Sequence, residues 1–103
     1  MNIYGYIGKF KAKPGYGIKL AAILIGASKL VEKMDGCQSY IVGIDSNDPE
    51  LIVVTEVWNS KADHEASLQV EDVRTLISKA IPLLDGAPEK GQVLEVLGGK
   101  GLS

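Results

Sequence analysis

A chain of 103 residues, 46% of them hydrophobic and with a net charge of −2, has the length of one domain (residues 1–103) and apolar side chain enough for one core. Its 11 basic and 13 acidic residues are spread throughout, so no basic stripe marks a nucleic-acid partner, and the longest apolar run, residues 20–27, is too short to cross a membrane. The lone Cys37 allows no internal disulfide and fits a reduced cytoplasmic setting, while one histidine with one cysteine cannot assemble the usual zinc ligand set, so no metal is expected.

The first ten residues show no basic segment leading into an apolar one, so no secretory leader is expected. Residues 3–12 are aromatic and β-branched and stop at Lys-Pro-Gly, which predicts a strand. Alternation puts Tyr4, Tyr6, Gly8 and Phe10 on one face and Ile3, Gly5 and Ile7 on the other. Pro14 suits the first turn of a helix running from about residue 15 to 34. Leu20, Leu24, Ala27, Val31 and Met34 form its apolar stripe, widened by Ile18, Ala22 and Ile25. Gly36 is expected to end it in a left-handed conformation.

Residues 37–45 and 50–58 are two β-rich runs around Ser-Asn-Asp-Pro, a hairpin. Ser60 then reads as a helix N-cap with Asp63 three residues on. One helix is expected over 61–69, and a second carries Val73, Leu76, Ile77, Ala80 and Ile81 at helical spacing up to Pro82. A last strand is expected over 91–99, with a loose tail from about 99 to 103.

The order β-α-β-β-α-β folds each βαβ half, with right-handed crossovers, onto one side of a four-stranded antiparallel sheet. The expected class is α+β, with a ferredoxin-like protomer. Helices cover one sheet face only. The other is about as apolar, so a homodimer with sheets stacked face to face is expected to cover it.

Candidate site residues gather around the strand-to-helix corner at 55–69. Trp58 ends an alternating strand on the face of Ile52, Val54 and Glu56, either as core packing or as a pocket wall. His64 lies in the first turns of a polar helix. It is either solvated or, if Leu68 packs inward, carried toward the sheet with Ser67. Its ordinary pKa of about 6.5 makes it the side chain here best suited to proton transfer near neutral pH. Glu56 would be expensive to bury unpaired. Either it meets a cation such as Arg74 or Lys9, or it faces a pocket. Tyr4, Tyr6 and Tyr40 could clamp an aromatic ligand or simply fill half-buried strand positions. The glycines near the end of the chain do not lead from a strand into a helix and make no phosphate loop.

Three segments carry a family resemblance: Lys-Pro-Gly at 13–15, Asp-Gly-Cys-Gln-Ser-Tyr at 35–40, and Thr-Glu-Val-Trp-Asn-Ser-Lys-Ala-Asp-His-Glu-Ala-Ser-Leu at 55–68. Together they resemble the antibiotic biosynthesis monooxygenase domain family, most of all its quinol monooxygenase-like members. The resemblance covers nearly the whole chain and implies a dimeric α/β barrel. It matches Trp58 to the family's cavity-lining tryptophan and His64 to a helix position where members often turn a polar residue to the cavity. The chain departs from the family twice. Many quinol-type members place a histidine where Ser67 stands, and haem-degrading members need an asparagine where Gly8 stands, which argues against haem.

What the resemblance implies is a cofactor-independent monooxygenase acting with O2 on a quinol or aromatic polyketide-like molecule. With no flavin, haem or metal motif in the chain, the substrate itself would be the reductant. His64 and Trp58 would be the catalytic pair, with Tyr6, Val54, Glu56 and Arg74 around the substrate and Arg74 a candidate donor to its anion. The alternative is a non-catalytic module of the same fold that binds a small molecule or serves only dimerisation. A filled cavity behind Trp58 would favour dimerisation alone, and an open one with His64 pointing outward would favour the binding module.

Overall fold

In a computed structural model of the chain, residues 3–102 are described. Strand β1 (Ile3–Lys11) leads to helix α1 (Gly17–Val31), then to the hairpin β2 (Cys37–Asp45) and β3 (Asp48–Trp58). Helices α2 (Lys61–Ser67) and α3 (Glu71–Ala80) follow, with a 3-10 turn (Ile81–Leu83) before strand β4 (Gln92–Val96). The sheet order is β2-β3-β1-β4, and every pairing is antiparallel. This is the ferredoxin-like α+β arrangement expected from the sequence.

Register sorts the side chains between the two faces. Tyr4 pairs with Trp58, Tyr6 with Glu56 and Phe10 with Ile52 across β1 and β3, while Tyr40 pairs with Glu56 across β2 and β3. These residues share the face that the helices cover. Buried Ile52, Val54, Glu56 and Trp58 alternate along β3 on that face. Ile3, Ile7, Val53, Val57 and Val96 fall on the opposite face, over which no helix lies.

Helix α1 is shorter than the sequence pattern predicts. It starts at Gly17, and Pro14 lies in the turn before it rather than in its first turn. The reason is a cap supplied from β3: one oxygen of the Glu50 carboxylate accepts from the backbone N–H of Tyr16 at 3.2 Å and of Gly17 at 2.9 Å. The Gly17 N–H, an orphan donor of the helix start, is satisfied that way, while the Tyr16 N–H is shared with the Lys13 carbonyl at 3.0 Å. Glycine is required at 17 because a Cβ there would stand 2.1 Å from the Pro49 carbonyl oxygen.

The buried stripe of α1 is Leu20, Ala21, Leu24, Ala27 and Val31. Ile18, Ala22 and Ile25 do not extend it. Ile18 is 80% exposed, because one sheet face can cover only one side of the helix. Gly36 is not the left-handed residue expected, and positive φ in this stretch of the chain is confined to Gly15. Its role is close approach: a Cβ at 36 would lie 2.6 Å from the side chain of Asp63, so glycine lets the start of α2 dock against the entry to β2. The Asn59 N–H donates to the Gly36 carbonyl at 2.8 Å across the same seam. Strand β4 covers less than the expected 91–99. Of the tail from 99, residues 99–102 form no helix or strand, and Ser103 lies outside the described residues.

Candidate functional site

Between the sheet and the three helices lies a cavity of about 250 Å3. Its walls are mostly aliphatic. Leu24 and Ala27 of α1, Leu76 and Ile77 of α3, and Leu84 and Pro88 beyond it all contribute. The polar side chains of the lining are Tyr6, Tyr40, Glu56, His64 and Ser67. Ile81 and Pro88 are also exposed, so the cavity meets solvent on their side.

The local fold explains why His64 faces inward. Ser60 caps α2, its hydroxyl accepting from the Asp63 N–H at 3.1 Å. Helical phase then puts His64 and Ser67 on the buried side, where they are 7% and 3% exposed, and leaves Lys61 and Glu65 in water. The Ser67 hydroxyl donates to the His64 carbonyl at 2.6 Å. A histidine solvated on a polar helix, one of the two sequence readings, is therefore not what forms.

The imidazole is held among aromatic rings. Its centroid lies 5.0 Å from that of Tyr6 and 5.3 Å from that of Tyr4, both in stacked orientation, and 5.8 Å from the tilted Trp58 indole. Tyr4 and Tyr6 are two apart on β1 and so project on one face. Gly91 makes room for the end of Tyr6, since a Cβ at 91 would stand 2.1 Å from its hydroxyl oxygen. Glycine at 8 also has a packing reason, because a Cβ there would come to 3.0 Å of the Phe10 ring.

Glu56 completes the site. Its Oε1 lies 3.6 Å from His64 Nε2 and accepts from the Trp58 indole N–H at 2.9 Å. The cations considered from sequence are not its partners. Arg74 is exposed and does not line the cavity, and Lys9 is exposed on the far face of the sheet. Burial pushes the Glu56 carboxyl above the ordinary carboxylate value, with the indole hydrogen bond pulling the other way. Burial likewise holds His64 below 6.5, opposed by the negative charge of Glu65. Both groups are thus driven toward their neutral forms.

Of the residues singled out from sequence, Tyr6, Tyr40, Glu56 and His64 line the cavity, and Tyr4 does not. Trp58 and Val54 are 1% exposed and do not line it, so Trp58 acts on the site by holding Glu56. Val73, Leu76, Ile77, Ala80 and Ile81, which helical spacing put on one face of a helix, all line the cavity. Among the described residues no three His, Cys, Asp or Glu side chains are grouped to hold a metal.

The sequence model of the antibiotic biosynthesis monooxygenase family matches residues 3–79. The chain belongs to that family. A Chloroflexus aurantiacus protein described as a candidate antibiotic biosynthesis monooxygenase is 39% identical, with 98% of this chain and 99% of that one aligned and a TM-score of 0.87. Structures of candidate antibiotic biosynthesis monooxygenases from Nitrosomonas europaea and Caulobacter crescentus superpose with TM-scores of 0.87 and 0.86. They cover 92% and 94% of this chain and 90% and 92% of theirs. Both are only 15% identical, so they attest the fold alone. No functionally curated protein matches the sequence. Among the described residues no helix of this family member is long and apolar enough to cross a membrane.

Proposed function

We propose that this family member is a cofactor-independent monooxygenase that uses O2 to oxidise a quinol or aromatic polyketide-like phenol, with His64 as the base. The observation that carries the reading is a buried imidazole in the wall of an otherwise apolar cavity. A neutral imidazole, its pKa lowered by burial, is ready to accept a proton at neutral pH. Tyr6 and Phe10 offer ring faces to a flat substrate. The volume falls just under the roughly 300–1,000 Å3 of drug-sized sites, which favours one to three fused rings.

The chemistry asks little of the protein. The substrate hydroxyl gives its proton to His64, and the phenolate passes one electron to O2. The resulting radical and superoxide join at a ring carbon, and the peroxide anion takes the proton back from His64 to become a hydroperoxide. Loss of water from that hydroperoxide leaves a carbonyl, so one substrate and one O2 give one quinone-type product and one water. Dry apolar walls keep the anion and radical pair from solvent.

We further infer a homodimer, the dimeric α/β barrel, formed through the sheet face that carries Ile3, Ile7, Val53, Val57 and Val96 and has no helix layer. Such an interface should bury more than about 1,000 Å2. Sedimentation at micromolar concentration should give twice the chain mass, and a monomer would sink the inference. A cytoplasmic location fits the free thiol of Cys37. The function is tested by oxygen uptake with a panel of quinols and anthrone-like phenols. His64→Gln should lose the uptake that the unaltered protein shows. Uptake that survives this change leaves the site without its base and returns the protein to the non-catalytic binding reading.

A further inference from the structure

Removing a proton from a phenol in an apolar cavity creates an oxyanion that needs a donor beside it. Arg74 is exposed and outside the lining, and no lysine lines the cavity. The Ser67 hydroxyl is already donated to the His64 carbonyl. The end of the Tyr6 side chain is packed against Gly91. That leaves Tyr40 and Glu56. Only Glu56 is seen within reach of an oxygen that also touches His64, since its Oε1 and His64 Nε2 stand 3.6 Å apart. The Trp58 N–H takes up Oε1 as an acceptor, which leaves Oε2 as the oxygen to carry a proton toward a ligand.

We propose that Glu56 is a second catalytic residue, a carboxylic acid whose Oε2–H donates to the substrate oxygen from which His64 takes the proton. The step balances simply. The substrate O–H bond breaks, an imidazole N–H bond forms, and the Glu56 proton stays where it is as the hydrogen-bond donor to the phenolate. Nothing is oxidised in this step. A carboxyl kept neutral in an apolar site is a known way to stabilise an oxyanion, and burial raises the Glu56 carboxyl in that direction. Of the groups around this pair, three stay neutral and one, Glu65, works against the neutral imidazole, with burial the larger effect. Tyr4, Tyr40 and Cys37 are themselves pushed up by burial and remain uncharged, and Glu65 is the negative charge felt by His64. The role in turnover rests on the monooxygenase reading; the donor itself does not.

The test uses p-nitrophenol, whose phenolate is coloured, with Trp58 fluorescence as the binding signal. The measured quantity is the ratio of phenolate to phenol affinity. Glu56→Gln keeps a neutral donor and should leave the ratio within about threefold. Glu56→Leu removes the donor and should lower it at least tenfold, in the range found for single oxyanion donors. Tyr40→Phe should leave it unchanged. A tenfold rise in Glu56→Gln would show that the native carboxyl is ionised and overturn the proposal. So would an unaltered ratio in Glu56→Leu, or a tenfold fall in Tyr40→Phe. Should Glu56→Leu fail to fold, Glu56→Met, which also lacks a hydrogen-bond donor, is read in its place under the same tenfold criterion. If the ratios follow this pattern but no phenol supports oxygen uptake, the monooxygenase reading fails and the donor stands.

Discussion

The helix-covered face of the sheet has two ends built on different terms. At one end Ala12, Leu20, Leu24, Ile52, Val54 and Leu84 pack as an aliphatic cluster with no titratable group among its buried members. At the other, Val31, Trp58 and Val73 form a smaller cluster beside Tyr4 and Tyr40, and Glu56 and His64 are buried next to it. Both ends are dry, and the same strand β3 supplies both. The aliphatic end gains from every contact it closes. The aromatic end buries a carboxyl and an imidazole at a cost in desolvation. A chain that places its costly groups together in the wall of a cavity has used its core to set their chemistry.

The largest test of this contrast is His64→Gln. Oxygen uptake should fall by about 10²–10⁴-fold, the usual worth of a general base, while the melting curve stays close to that of the unaltered protein. A comparable loss of folding would make His64 a packing residue like its aliphatic counterparts. Truncation of the rings and chains comes next. Trp58→Ala should cost about 3–5 kcal/mol and Ile52→Ala about 2–5 kcal/mol in urea unfolding. Of the two, only Trp58→Ala should also alter the pH dependence of uptake, because its indole holds Glu56.

The pH dependence of stability separates the pair more finely. His64 has a lowered pKa in the fold, so below its unfolded value of 6.5 the unfolded chain binds more protons and stability falls as pH drops. Glu56 has a raised pKa, so above its unfolded value of 4.5 the folded chain binds more protons and stability falls as pH rises. Between pH 4.5 and 6.5 the two slopes oppose each other. Relative to the double variant, Glu56→Gln should therefore gain stability with rising pH there, and His64→Gln should lose it. Denaturant midpoints across that window measure both, and slopes of equal sign would break the account. The smallest effect belongs to Arg74→Ala, expected within about 0.5 kcal/mol in stability and without change in uptake. A large loss of uptake would restore the guanidinium as the anion's donor.

Most of the fold was legible because it rests on local signals. Alternation along 3–12 and 50–58, the hairpin turn and the Ser60 cap each need only neighbouring residues. The burial of His64 was half legible: helical phase put it with Ser67 and Leu68, but only the docking of α2 through Gly36 decides that this side faces the sheet. What the sequence concealed is contact between distant residues. Nothing local says that Glu56 meets an indole two residues on and an imidazole from the next helix rather than Arg74 or Lys9. Nor does spacing distinguish the Leu76 to Ile81 stripe as a cavity wall from the same stripe as core, since both need apolar residues at the same period.

The Glu50 cap on α1 has a consequence for the order of folding. The helix cannot satisfy its first N–H groups with a residue of its own, because Tyr16 provides no side-chain cap and no acidic residue lies in its first turn. The acceptor arrives from β3, thirty-three residues later in the chain. The β2–β3 hairpin turns within two residues and can zip locally, on a timescale of about 1–10 μs, whereas the start of α1 is incomplete until that hairpin has docked. In a refolding experiment read by amide exchange, the N–H of Gly17 should gain protection together with the seam to β3 and later than the hairpin.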